Sequence, residues 1–208
     1  TGTGLSLSGT DAGNYTVNGT ALTTADITPL AITGGITVLG SITAASKVYD
    51  ANDVATITAR ALTGVLGADV VSYSGGAASF SNKNVGTAKT VTGTGLVLAG
   101  TDAGNYTVNS SATTTADITA RAITGNITAA NKVYDANASA TILTRTLTGV
   151  LGADVVSYSG GAATFSDKNV AAGKAVVGAG MVLAGADAGN YTVNSSASTT
   201  ADITAKAI

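Results

Sequence analysis

Apolar and polar residues alternate with period two along much of the chain. Ala55, Ile57, Ala59 and Ala61 fall on one side and Thr56, Thr58 and Arg60 on the other, which predicts a half-buried strand. Similar short runs predict strands at 71–73, 78–80, 96–98, 106–108 and 116–120. Between them lie turn-forming groups, Gly75-Gly76, Ser81-Asn82-Lys83-Asn84 and Gly100-Thr101-Asp102, spaced about 8–14 residues apart. The fold class is all-β. The segment 62–69 could form a helical turn, but Gly64 and Gly67 hold it to about one turn.

The pattern repeats. Lys47-Val48-Tyr49-Asp50-Ala51-Asn52 returns as Lys132-Val133-Tyr134-Asp135-Ala136-Asn137, and the run 62–78 returns unchanged at 147–163. The offset is about 85 residues without a gap, and about 64 of about 82 aligned positions are identical. Asp11-Ala12-Gly13-Asn14-Tyr15 opens the chain with a third, partial copy; the surplus of about six residues falls around Gly34-Gly35-Ile36-Thr37-Val38-Leu39. This reads as the C-terminal strands of an incomplete module at 1–34, then complete modules at 35–123 and 124–208. Near-identical tandem copies make one structure again, which a single active site does not need, so length is the expected product.

Asp102-Ala103-Gly104-Asn105-Tyr106 is the sharpest local signal, since Asp caps a turn, Gly takes positive φ and Tyr then enters a strand. It is similar to a tyrosine corner, in which the hydroxyl bonds back to its own turn near the penultimate strand of an immunoglobulin-like sandwich. About seven candidate strands per module suit that sandwich, arranged end to end. A parallel β-solenoid of about four coils is the alternative, and no repeat at the shorter period supports it. In the partial copy, Leu5, Leu7, Tyr15, Val17 and Ile27 lack the first half of a module, so they are expected to pair with upstream sequence or with a neighbouring copy of the chain.

Composition narrows the chemistry sharply. The 208 residues contain 27 Gly and no Cys, Trp or His, and all 12 acidic residues are Asp. That removes the usual zinc sites, nucleophile–histidine systems and glutamate glycosidase pairs, and it speaks against an enzyme. No catalytic or cofactor-binding residue is assigned. A net charge of −2 with scattered Lys and Arg gives no footprint for nucleic acid. The charge-free window from Ile27 to Ser46 is long enough to span a bilayer, but Pro29, Gly34, Gly35 and Gly40 break it, so no membrane span is expected. No signal-peptide pattern is visible, and the abrupt Gly/Thr start reads as a piece of something larger.

Four weaker features need weighing. Asp50, Asp53, Asp69, Asp102 and Asp117 could ligate calcium, but without alternating ligand spacing they read as turn caps, and no metal site is assigned. Lys47 or Lys83 beside Asn residues could form an isopeptide crosslink assisted by an Asp, against the ordinary solvated-lysine reading. Tyr49 and Tyr134 could be exposed ligand contacts; aromatics are so scarce that burial against a turn is the stronger reading. Thr90 to Thr94 and Thr113 to Thr115 suggest an ice-binding surface, yet the second copy has Ala175, Val177 and Ala179 where the first has Thr90, Thr92 and Thr94.

With Lys-Val-Tyr-Asp at 47–50 and 132–135, Leu-Thr-Gly-Val at 62–65 and 147–150, Lys-Asn-Val at 83–85 and 168–170, and Asp-Ala-Gly-Asn-Tyr three times, the chain resembles YDG-type repeats. These occur in large secreted bacterial adhesins of the filamentous-haemagglutinin kind. Where the family has Gly after Tyr-Asp, this chain has Ala51 and Ala136, implying a different turn there. The resemblance implies an extracellular or cell-surface fibrous protein used in attachment, aggregation or biofilm, with these repeats as a non-catalytic stalk. Its partners would be neighbouring modules and other copies of the chain. The alternative is a module that itself binds carbohydrate or self-associates into filaments.

Overall fold

The computed structural model describes residues 2–24 and 36–208, in two compact units that divide between Gly35 and Ile36. Ile27, Gly34, Gly35 and the first part of the charge-free window lie outside the described residues.

In the first unit, β1 (Gly2–Thr3) pairs antiparallel with β2 (Thr20–Ala21), and a 3-10 turn spans Ala12–Asn14. Leu5, Leu7, Tyr15 and Val17 are all exposed and lie outside β1 and β2, so the strands expected to carry them do not form there.

The second unit holds sixteen strands in two sets of eight. The first set is β3 (Ile36–Ala44), β4 (Lys47–Val48), β5 (Val54–Ala55), β6 (Ile57–Thr63), β7 (Ser72–Phe80), β8 (Gly86–Ala99), β9 (Tyr106–Val108) and β10 (Ser111–Thr119). The second is β11 (Arg121–Ala129), β12 (Lys132–Val133), β13 (Ser139–Ala140), β14 (Ile142–Thr148), β15 (Ser157–Phe165), β16 (Ala171–Ala184), β17 (Tyr191–Val193) and β18 (Ser196–Thr204). Each set makes a five-stranded sheet, β4-β10-β8-β7-β5 or β12-β18-β16-β15-β13, and a three-stranded sheet, β6-β3-β9 or β14-β11-β17. The repeat ends read at Ile123 and Ile208 follow the sequence period. The ladders place residues 121–123 with the copy that follows, because β11 pairs with β14 and β17.

The two sheets pack face to face as a β-sandwich. On β3, Val38, Gly40 and Ile42 are buried between exposed Thr37, Leu39 and Ser41, the alternation of a strand with one covered face. They meet the inward residues of the larger sheet, with Ile42, Tyr73 and Leu96 in one cluster and Tyr49, Phe80, Val91 and Ile118 in another. Each large side chain buried there contributes about 1.5–3 kcal/mol. The long ladders are antiparallel, and parallel pairing is confined to runs of two or three residues at β4/β10, β3/β9 and their counterparts. A parallel solenoid would require the reverse.

Three local expectations change. Gly75-Gly76 is not a turn but the bent middle of β7, at φ 69° and 80°. A Cβ on Gly76 would come within 2.6 Å of the Leu96 side chain, so the bend and the packing both need glycine. The segment 62–69 is not helical: β6 runs to Thr63, and Gly64 and Gly67 take positive φ, which no right-handed helix accommodates. The short 3-10 turns sit instead at Ala103–Asn105 and Ala188–Asn190. Finally, Ala51 and Ala136 hold the left-handed backbone, at φ 67° and 66°, so the turn after Tyr-Asp keeps a glycine-favouring conformation although Ala occupies it.

Candidate functional site

Only Ala120 separates β10 from β11, so the end of one sandwich is carried directly onto the start of the next. Four segments meet there. The first module supplies the turn after β4, with Tyr49, and the loop 81–85 between β7 and β8, with Lys83, Asn84 and Val85. The second supplies the loop 149–156 between β14 and β15, with Leu151 and Asp154, and the Asp-Ala-Gly-Asn-Tyr turn, with Asn190 and Tyr191.

Asp154 is the centre. Its Oδ2 accepts from the Tyr191 hydroxyl at 2.6 Å and from the Tyr49 hydroxyl at 2.8 Å, while Oδ1 accepts from Lys83 Nζ at 2.9 Å. Lys83 also stands 3.7 Å from Asp187 and 5.8 Å from the centre of the Tyr49 ring. The Tyr49 and Tyr191 rings meet edge to face, 5.4 Å between centres and 76° between planes, a favoured aromatic geometry. Beside them Val85 N–H donates to Asn190 Oδ1 at 2.9 Å. Around this polar knot one apolar cluster runs from Tyr49, Phe80 and Ile118 through Ile123 and Tyr191, flanked by Leu147, Val150 and Leu151. The two modules thus share a core.

The electrostatics follow from that geometry. Hydrogen bonds from Tyr191, Lys83 and Tyr49 hold the Asp154 carboxyl below its ordinary range against the opposing effect of burial. Burial, with the hydrogen bond to Asp154 second, pushes the Tyr49 and Tyr191 hydroxyls up, and the hydrogen bond to Asp154 raises Lys83. Asp154 therefore stays ionised while both phenols keep their protons, which is the protonation state that closes the knot.

Tyr106 and Tyr191 do not bond within their own turns as the corner reading expects. Each hydroxyl reaches across the end of its sandwich, accepting from Leu66 or Leu151 N–H at 3.1 Å and donating to Asp69 or Asp154 at 2.6 Å. The 3-10 turn before the Tyr aims the ring at the loop some 40 residues upstream. Tyr49 is fully buried, as its scarcity suggests, but against the next module and not a turn of its own.

The remaining candidates are placed apart. Asp50 accepts from Lys47 at 2.8 Å, Asp69 from Tyr106, Asp102 from Val70 N–H at 2.8 Å and Asp117 from Ala88 N–H at 2.7 Å. Asp53 is exposed in its turn, its carbonyl accepting from Phe80 N–H. Among the described residues no three acidic side chains gather where a metal ion could bind. Lys47 Nζ donates to Asp50, to both oxygens of Asn52 and to the Val54 carbonyl, at 2.8–2.9 Å, and Lys132 repeats the cage. An ammonium so engaged fastens the loop and has no lone pair for attack on an amide. Thr90, Thr92 and Thr94 do stand in register with Thr115, Thr113 and Ser111.

Sequence reasoning missed two things. It did not pair Asp154 with Tyr49, because the two halves of the junction lie 105 residues apart. It also missed the clasp under each sandwich, where Asn109 accepts from Gly40 N–H at 2.8 Å and donates to the Gly40 carbonyl at 3.0 Å, with Tyr73 packed on the glycine; Asn194, Gly125 and Tyr158 repeat it. The Asn that closes all three copies of Tyr-Thr-Val-Asn was the available signal.

No curated protein and no solved structure matches the chain. The family model of the YDG domain matches residues 33–116 and again 119–201, spans that cover each sandwich up to the last three residues of its final strand. With most of its length covered by these two matches, the chain belongs to the YDG domain family.

Proposed function

We propose that the paired modules are non-catalytic spacer repeats of a bacterial extracellular adhesin of the filamentous-haemagglutinin kind, holding a binding region away from the cell surface. The junction carries the reading. A single intervening residue, a shared apolar core and a buried carboxylate bound from both sides resist bending between modules, and a stalk needs that property where a pair of independent binding domains does not. The composition supports it too, since a chain with no His, Cys or Glu has little means for catalysis but ample strand-forming Thr and Val.

Small-angle scattering on chains with increasing numbers of YDG modules tests the reading. A stalk gives a maximum dimension that grows in proportion to module number. Growth closer to the square root of that number, as in flexibly linked beads, would overturn it.

A further inference from the structure

The cage around Lys47 offers more oxygens than a lysine can serve. An ammonium carries three N–H donors, yet four oxygens surround Lys47 Nζ: Asp50 Oδ1 at 2.8 Å, and Asn52 Oδ1, the Asn52 carbonyl and the Val54 carbonyl at 2.9 Å. Lys132 meets the same four positions at 2.8–3.0 Å. An aromatic ring completes each cage, Phe80 or Phe165, its centre 5.5 Å from the nitrogen. The loop also sets these oxygens itself. Asn52 N–H donates to Asp50 Oδ1 at 3.2 Å and Val54 N–H to Asn52 Oδ1 at 3.0 Å, so backbone as well as lysine holds both side chains. Where the first copy has Val54 the second has Ser139, but the ligand there is a carbonyl, which the change leaves in place. Distance and charge define such a cage, more than the directions of three N–H bonds do.

We propose that each cage is a monovalent-cation site whose tethered occupant is Lys47 or Lys132, and that potassium or ammonium ion enters it when the lysine side chain is removed. Oxygens at 2.8–3.0 Å stand too far out for calcium, which draws its ligands to about 2.3–2.6 Å, and one carboxylate does not balance a double charge. Carbonyl oxygens that replace an ion's water shell are the ligands potassium takes in a selective site. The occupant's task is structural. Lys47 belongs to β4 and Val54 to β5, the two opposite edges of the five-stranded sheet, so the charge ties one edge strand to the other. Held covalently, it does so at any ionic composition of the medium. This goes beyond the spacer reading and stands whether or not that reading holds.

Lys47→Ala and Lys132→Ala empty the cages one at a time in the full chain. Amide exchange at Asn52 and Val54, or at Asn137 and Ser139, reads the loop directly, because those N–H groups close it. In tetramethylammonium chloride, whose cation is too bulky to enter, exchange there should quicken at least about tenfold over the unsubstituted chain. Potassium or ammonium chloride at equal concentration should recover most of that protection and raise the melting temperature. The unsubstituted chain, its cages filled, should not respond, and calcium chloride at the same ionic strength should recover less. Lys47→Met keeps a stem in the cage without the charge, and should lose protection yet gain nothing from potassium. A variant that folds in potassium but not in tetramethylammonium supports the site equally. Alanine variants that exchange no faster, that recover no better in potassium than in tetramethylammonium or stay unfolded in both, or that recover best in calcium would overturn it, as would an equal potassium response in Lys47→Met or the unsubstituted chain. The spacer reading is judged separately, by scattering on unsubstituted chains.

Discussion

Tyr49 and Tyr134 occupy the same place in the same motif, yet Tyr49 is fully buried and Tyr134 only partly, because a second module covers the first and, among the described residues, no further module covers the second. Asp154 and Asp69 differ likewise: Asp154 serves three donor side chains, Asp69 one. Identical sequence thus has two energetic roles, set by what lies above it. The incomplete copy extends the lesson, for Tyr15 is 71% exposed while Tyr106 and Tyr191 are 7% and 5%. Asp-Ala-Gly-Asn-Tyr forms its 3-10 turn in all three copies, but only the complete modules bury the ring.

The contrast can be broken most forcefully at the aromatic. Tyr49→Ala empties a site with no exposure and should cost about 3–5 kcal/mol, against less than about 2 kcal/mol for Tyr134→Ala, measured by urea unfolding with amide exchange assigning the loss to each module. Equal costs would mean that the junction adds nothing.

Asp154→Ala should follow at about 2–4 kcal/mol. It removes two phenol hydrogen bonds worth about 1 kcal/mol each and an ion pair discounted because Lys83 is more than a third exposed. Asp69→Ala loses one phenol bond, about 1 kcal/mol. Thermal unfolding of the two variants side by side decides between them.

Acidity offers a third handle. Asp154 has a folded pKa below its unfolded one, so its contribution is present above the unfolded value, near pH 4, and fades as pH falls through the lower folded value. The raised Tyr49 and Tyr191 act oppositely, contributing below about pH 10 and losing that contribution as pH rises through their folded values. Amide exchange at Val85 and Leu151 should quicken at both extremes, before exchange in the centre of β7 and β15 does.

The smallest effect sharpens the comparison by being the same on both sides. Ala51→Gly and Ala136→Gly each relieve a left-handed alanine and should stabilise by about 0.5 kcal/mol, the relief being partly offset by the greater freedom of glycine in the unfolded chain. A clear difference between the two in melting temperature would show that the turn itself feels the junction.

Much of the fold was legible. The strand at 106–108 coincides with β9, and the alternation at 55–61 falls on β5 and β6, but only Ala55 and Ile57 of its apolar face turn inward; Ala59 and Ala61 are exposed and Leu62 is the next partly buried residue. Strand lengths were not: β7 joins the runs at 71–73 and 78–80 across Gly75-Gly76, because glycines read as a turn can equally bend a strand without ending it. Of the junction, the sequence offered the parts but not the pairing. Periodicity shows that Asp154 repeats Asp69, and nothing local reveals that Tyr49 meets one of them and no tyrosine of a preceding module meets the other among the described residues.

The short parallel ladders have a mechanical meaning. In the second module the chain enters on β11 and leaves on β18, and β11 runs parallel to β17 as β12 does to β18. Tension along the chain draws the entering strands one way and the leaving strands the other, so these backbone bonds are strained sideways and together instead of peeling one at a time. Pulled at its two ends, the second module is held by a clamp whose bonds share the load, with the long hairpin of β15 and β16 behind it.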